Sequence, residues 1–231
     1  MSALKTIIDW LFGGSPEYKA AQAKQAAQKA KASIALERKR SERAARTLTE
    51  LHSATCGTFI VADIETTGLS SRAEIIEIAA LRANPRNGAL EEFTTLIRPA
   101  RAMPREIIEL TGITPKMLTQ RGVSLQEAMT AFVSFCESHP VVFHNAPFDK
   151  RFIKAAATSL GLYFDNPVLC SLKAARAAWP ELTSHKLLTL AQYLDISTPT
   201  HRGLDDVRAT LEVILAARSM ARSVHATQLS A

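Results

Sequence analysis

The sequence is short of cysteine, of long apolar runs and, between residues 17 and 50, of large apolar side chains. Three cysteines, Cys56, Cys136 and Cys170, are too few and too scattered for a disulfide framework or a cysteine-based zinc site. They read as free thiols in a reducing compartment, so a cytoplasmic protein is expected. No apolar run approaches the roughly 18–20 residues of a membrane span, which argues against a transmembrane segment. The opening stretch carries an acid, Asp9, and lacks a basic leader and a continuous apolar core, so it reads poorly as a secretion signal. Residues 17–50 contain neither Gly nor Pro after Pro16, and too few apolar residues for a coiled-coil seam. Interleaved aromatics are also missing there, which argues against base stacking.

What is present is ordinary for a globular chain: 231 residues, 47% hydrophobic and 22% charged. Charge is uneven. Residues 1–50 hold ten Lys/Arg against five Asp/Glu, while the rest hold 18 against 17. The net charge of +6 therefore belongs mainly to the N-terminal part. Four segments are expected. Residues 1–14 form a short amphipathic helix, for docking, for gripping a partner or membrane surface, or only loosely ordered. Residues 15–54 form a basic, Ala-rich helical arm, either simply solvated or touching nucleic-acid phosphates. Residues 55–222 form a globular domain, and 223–231 a disordered tail.

Within the globular part, Thr58–Ile64 is apolar and β-branched and reads as a strand buried on both faces. It ends in Asp63 and Glu65, which alternation places on one face. The pair reads either as two surface acids or as a divalent-metal site, since like charges in a poorly solvated position call for a cation. Further strands are expected at Glu74–Leu81, Phe93–Ile97, Pro140–Phe143 and Val168–Cys170, with a turn at Asn84–Gly88 between the second and third. Short helices are expected at Pro104–Leu110 and after Thr114, and a longer one capped by Ser124. Others follow from about Asn145 to Leu160, from Leu172 to Ala178, from Lys186 to Leu194 and from Leu204 to Met220. Strands first, then strands alternating with helices, give an α/β fold with a mixed five-stranded sheet flanked by helices.

Two more acidic spots stand out. Asp149 lies in the first turn of a helix that follows a strand, with Asn145 as a plausible cap. The helix dipole alone would favour an acid there, but so would a site at the sheet edge. Asp205 and Asp206 open the last helix. At 100° per residue, Asp206 falls inside the apolar arc and Asp205 on the wet side with Arg208 and Glu212. Asp206 is therefore the functional candidate. His201 sits in the loop just before it.

Together Asp63-Ile-Glu65-Thr-Thr-Gly, His144-Asn-Ala-Pro-Phe-Asp149 and His201 with Asp206 resemble the three motifs of the DEDDh 3′→5′ exonucleases, a family that includes the epsilon proofreading subunit of bacterial DNA polymerase III, ribonuclease T and oligoribonuclease. The likeness runs from about Thr58 to Ala217. It includes Leu110-Thr-Gly-Ile-Thr114 and Ser184-His-Lys-Leu187. It implies a ribonuclease H-like fold for the domain at 55–222. It also implies that Asp63, Glu65, Asp149 and Asp206 hold two Mg²⁺ or Mn²⁺ ions, with His201 as general base. Carboxylates suit hard cations, and two such ions suit phosphodiester hydrolysis. Thr66, Thr67, Gly68, Leu110, His144, Asn145 and Phe148 are the expected substrate-wall residues. The expected substrate is a single-stranded 3′ end, DNA in preference to RNA, with release of nucleoside monophosphates. Trimming of RNA or short oligonucleotides is the alternative, and an inactive binding scaffold the remaining one. Residues 1–54 are the expected surface for a polymerase or other protein partner.

Overall fold

The computed structural model describes residues 15–229, with side chains as far as Met220. The helix expected over residues 1–14 lies outside the described residues. Two compact units divide the chain, Met1–Arg43 and Ala44–Ala231. Helix α1 (Pro16–Ala54) supplies residues to both. Its stretch before Ala44 is almost wholly exposed, as its Ala, Lys, Gln and Arg content dictates, and an Arg38–Glu42 pair at 2.8 Å supports one of its turns. Its last turns differ. Leu48 and Leu51 are buried in the core of the second unit, which begins at Ala44.

The second unit is built on five strands: β1 (Phe59–Thr66), β2 (Ile75–Asn84), β3 (Ala89–Leu96), β4 (Val141–Phe143) and β5 (Val168–Cys170). Their spatial order is β3-β2-β1-β4-β5. The first three form an antiparallel meander, and β4 and β5 join parallel to β1. The sheet is thus mixed and five-stranded. The hairpin between β2 and β3 closes on Asn84–Gly88, where the Gly88 N–H donates to the Asn84 carbonyl at 2.9 Å. Both hairpin strands reach further into the turn than the sequence suggested. The added residues of β3, Ala89 to Glu92, are all exposed, so no burial pattern announced them. Glu91 and Glu92 also guard this sheet edge against foreign pairing.

Central strand β1 is buried on both faces. Ile60, Ala62 and Ile64 face one layer with Met129, Phe132, Phe143 and Ile153. Phe59 and Val61 face the other. The first layer is covered by α4 (Leu125–Cys136) and α5 (Ala146–Ser159). The second holds the end of α1, α6 (Ser171–Ala178), α7 (Leu187–Leu194) and α8 (Gly203–Leu229). Short helices α2 (Arg105–Thr111) and α3 (Pro115–Arg121) cover Ile76 through a small third cluster.

Local signals account for most helix starts. Ser124 caps α4 through a complete capping box with Glu127, and these bonds hold the Glu127 carboxyl below its usual range. Thr114 caps α3 by accepting the Met117 N–H. Two ends depart from the sequence reading. Asn145 does not cap α5 with its side chain; it adopts a left-handed backbone (φ 65°) instead, which Asn tolerates. Pro104 stands just before α2 rather than in its first turn. Helix α8 continues to Leu229, through most of the stretch 223–231 read as a disordered tail.

Candidate active site

The end of β1 delivers two carboxylates to the face shared with α8. Asp63 and Glu65 follow Phe59 and Val61 on that face, so they emerge where the apolar layer ends. Asp149 comes from the first turn of α5, which leaves the sheet directly after the parallel strand β4. It is buried, and its Oδ2 has no hydrogen-bond partner. Asp206 comes from the first turn of α8. Its Oδ1 accepts the backbone N–H groups of Thr200 (3.0 Å) and His201 (3.2 Å), which folds the preceding turn back over the carboxylate. His201 itself is exposed and held at φ 56°.

These residues converge. Ligand atoms of Glu65, His201 and Asp206 all lie within 4.8 Å of one another. Burial, and then the charges of Asp149, Glu65, Asp206 and Glu77, push the Asp63 carboxyl well above its usual range. Burial and the charges of Asp206, Glu77 and Asp149 push Glu65 up to about 8, with Arg202 pulling the other way. Burial pushes Asp149 up to about 8, against the pull of its own N–H and that of Ile64. Asp206 is raised too, by burial first. Acids gathered and buried in this way call for positive charge beside them.

Asp205 is placed differently. It is half exposed, accepts the Thr200 hydroxyl at 2.7 Å and lies 3.7 Å from Arg208. Helix angle alone separates it from Asp206, as the apolar arc of α8 implied.

The expected wall residues divide into three groups. Thr66 and Thr67 shape the turn beside the acids. The Thr66 hydroxyl donates to the Gly68 carbonyl at 2.7 Å, and the Thr67 hydroxyl accepts the Glu74 N–H at 2.9 Å. Gly68, at φ 152°, uses a conformation that side-chain residues rarely adopt. Leu110 and Asn145 are exposed, and Phe148 is half buried against Phe152, with ring centroids 5.1 Å apart. His144 is turned to an interior task. Its Nε2 lies 3.1 Å from the His185 carbonyl and its Nδ1 2.8 Å from the Ser171 hydroxyl. Burial pushes it down to about 4, so the ring is neutral: Nε2–H donates to the carbonyl and Nδ1 accepts from Ser171. His185 continues the chain to the Trp179 carbonyl at 2.9 Å. The likeness noted at Ser184–Leu187 thus coincides with a structural brace between β4, α6 and the loop before α7.

Glu77 was not picked out from the sequence. It lies on β2 opposite Glu65 and is buried. The available signal was a lone acid inside the apolar run Ile75–Leu81.

Comparison with known proteins identifies the family. The exonuclease family model (RNase T type) matches residues 60–214. The epsilon subunit of DNA polymerase III from Aquifex aeolicus is 36% identical over 163 residues, covering 69% of this chain and 79% of the relative. A PolC-type DNA polymerase III from Caldanaerobacter subterraneus is 37% identical over 161 residues, and the chain spans only 11% of that relative's length. Among solved structures, Escherichia coli exonuclease I in complex with a dA16 oligonucleotide superposes with a TM-score of 0.62 at 21% identity, covering 72% of this chain and 41% of that one. Exonuclease X in complex with 5′-overhanging duplex DNA gives 0.57 at 23% identity, covering 70% and 91%. Both share the fold. By its matched domain and its epsilon-subunit relative, this chain belongs to the exonuclease family.

Proposed function

We propose that the chain is a metal-dependent 3′→5′ exonuclease that removes nucleoside monophosphates from single-stranded ends, DNA in preference to RNA. One observation carries the proposal: three distant segments bring acids together, with ligand atoms of Glu65, His201 and Asp206 within 4.8 Å of one another and the charges of Asp149 and Asp206 felt by both Asp63 and Glu65. The donor set fits two Mg²⁺ or Mn²⁺ ions. It consists of carboxylate oxygens, the preference of hard cations, and the buried Asp149 Oδ2 is a free acceptor. When bound, the ions supply positive charge for activating water and for the leaving oxygen.

The chain's own residues do the rest. Asp63, Glu65, Asp149 and Asp206 hold the cations. Asp206 gives Oδ1 to the turn and keeps Oδ2 for a ligand. His201 stands at the rim, where its ring can take a proton from the attacking water and pass it to solvent. Thr66, Thr67 and Gly68 line the approach with backbone groups, and Leu110, Asn145 and Phe148 offer the wall for the terminal nucleotide. His144 acts from behind, bracing β4 against α6. The epsilon-subunit relative supports a proofreading or repair role, with residues 1–54 as the surface for a polymerase or other partner.

The test uses end-labelled single-stranded DNA, duplex DNA, mismatched duplex DNA and RNA, each incubated with Mg²⁺ or Mn²⁺. Mononucleotide release from the 3′ end of single-stranded DNA is expected with the native chain and none with Asp63→Ala. Faster loss of RNA than of DNA would reverse the substrate assignment.

A further inference from the structure

Glu77 interrupts an otherwise apolar strand and is 4% exposed. Antiparallel pairing sets it directly opposite Glu65, so the two carboxylates leave the sheet side by side. Like charges in that position repel, and burying either one is costly. Packing alone would favour an apolar residue, as Ala79 and Leu81 show on the same face. Something must offset the cost.

The offset lies in the turn that carries His201. Glu77 Oε2 accepts the Gly203 N–H at 3.1 Å, and Oε1 lies 3.9 Å from Arg202 Nη2. Gly203 is the first residue of α8 and is pressed against β2. A Cβ added there would come within 2.7 Å of the Ala79 Cβ and 3.2 Å of Glu77 Oε2, so the close approach requires glycine. The turn is thus held at both ends by carboxylates. Asp206 grips Thr200 and His201 at its entry, and Glu77 grips Gly203 at its exit. Between the two grips His201 is kept at φ 56°, which a residue other than glycine holds only where its surroundings enforce it.

We propose that Glu77 is a positioning residue: by anchoring Gly203 and Arg202 it fixes the His201 turn and aims the imidazole at Glu65 and Asp206. The inference rests on the nuclease reading of this site. Freed at Gly203, the turn would relax toward negative φ at His201 and carry the ring away from its neighbours.

The test compares the full chain with Glu77→Leu, Glu77→Gln and Glu77→Asp. Amide hydrogen exchange is read without metal. Steady-state hydrolysis of a labelled single-stranded oligonucleotide is read with Mn²⁺, below the melting transition of every variant. For Glu77→Leu, exchange over residues 200–206 should quicken by about tenfold while β1 and β4 stay unchanged. Its kcat should fall by about tenfold with KM within about twofold. The Glu77→Gln amide oxygen can accept the same N–H, so both readouts should return to within about threefold of the native chain. If Glu77→Leu does not fold, Glu77→Asp, whose carboxylate is one methylene short of Gly203, is expected to show the same paired losses. A native-like kcat in the Leu or Asp variant overturns the proposal. So does faster exchange spread over the whole sheet, or a Gln variant as impaired as Leu. A native chain that cleaves no substrate overturns the nuclease reading instead, and the exchange rates then decide whether Glu77 anchors the turn.

Discussion

Asp205 and Asp206 share the first turn of α8, yet only Asp206 reaches the cluster with Glu65 and His201. Asp206→Ala should therefore abolish hydrolysis, while Asp205→Ala, which loses contacts only to Thr200 and Arg208, should keep most of it. Initial rates on one labelled oligonucleotide check both. The same acids set a pH dependence. Glu65 and Asp149, raised to about 8, bind protons in the folded chain that the unfolded chain has released. Folding thus takes up protons, and stability falls as pH rises between the ordinary carboxylate range, near 4, and about 8. Melting temperatures of the metal-free chain should drop across that window, and Asp63→Asn or saturating Mg²⁺ should flatten the slope. At this scale the four acids and His201 were singled out from the sequence as candidates: Asp63, Glu65 and Asp206 interrupt apolar patterns and Asp149 stands in a first helix turn, while their roles and that of the loop residue His201 came from the family resemblance. Glu77 was not, because its partner Gly203 is far away in the chain. Nor was the locking of His144, whose ring is satisfied by Ser171 and the His185 carbonyl, contacts that no local pattern encodes.

Helix α1 shows how an element can be recognised while its packing goes unread. Its length follows from an uninterrupted run of strong helix formers. Its junction with the core does not, because Leu48 and Leu51 are isolated apolar residues in a polar helix. Yet they are 5% and 2% exposed, packed in the layer that also holds Phe59, Val61 and Val142. Leu51→Ala should cost about 2–5 kcal/mol in denaturant unfolding and leave kcat unchanged below the transition. The five strands, by contrast, were legible almost to the residue at their buried ends. They lengthened toward the turns: β1 through Glu65 and Thr66, β2 through Arg82, buried Ala83 and Asn84, and β3 back through the exposed residues 89–92, where no alternation of burial marks a strand. Asn145 belongs to the same class: its left-handed backbone at the start of α5 depends on the strand before it as much as on its own side chain.

For the molecule as a whole, the excess positive charge lies outside the unit that carries the site. The described residues before Ala44 are basic and exposed, and no helix among the described residues is long and apolar enough to cross a membrane. Deleting residues 1–43, which spares Leu48 and Leu51, should keep the catalytic unit folded. It should lower affinity for long oligonucleotides and flatten the dependence of that affinity on salt, with turnover of a dinucleotide retained. Binding titrations at several salt concentrations check this, and an unchanged slope would assign the arm to a protein partner.

The order in which the chain supplies its acids has a consequence for biosynthesis. Asp63 and Glu65 are made first, Asp149 next, and Asp206 and His201 only with α8, after all five strands. A nascent chain emerging from the ribosome can therefore build the whole sheet before it owns a complete hydrolytic centre. On the proposed reading of the site, hydrolysis of nearby nucleic acid would therefore have to wait until the last helix docks.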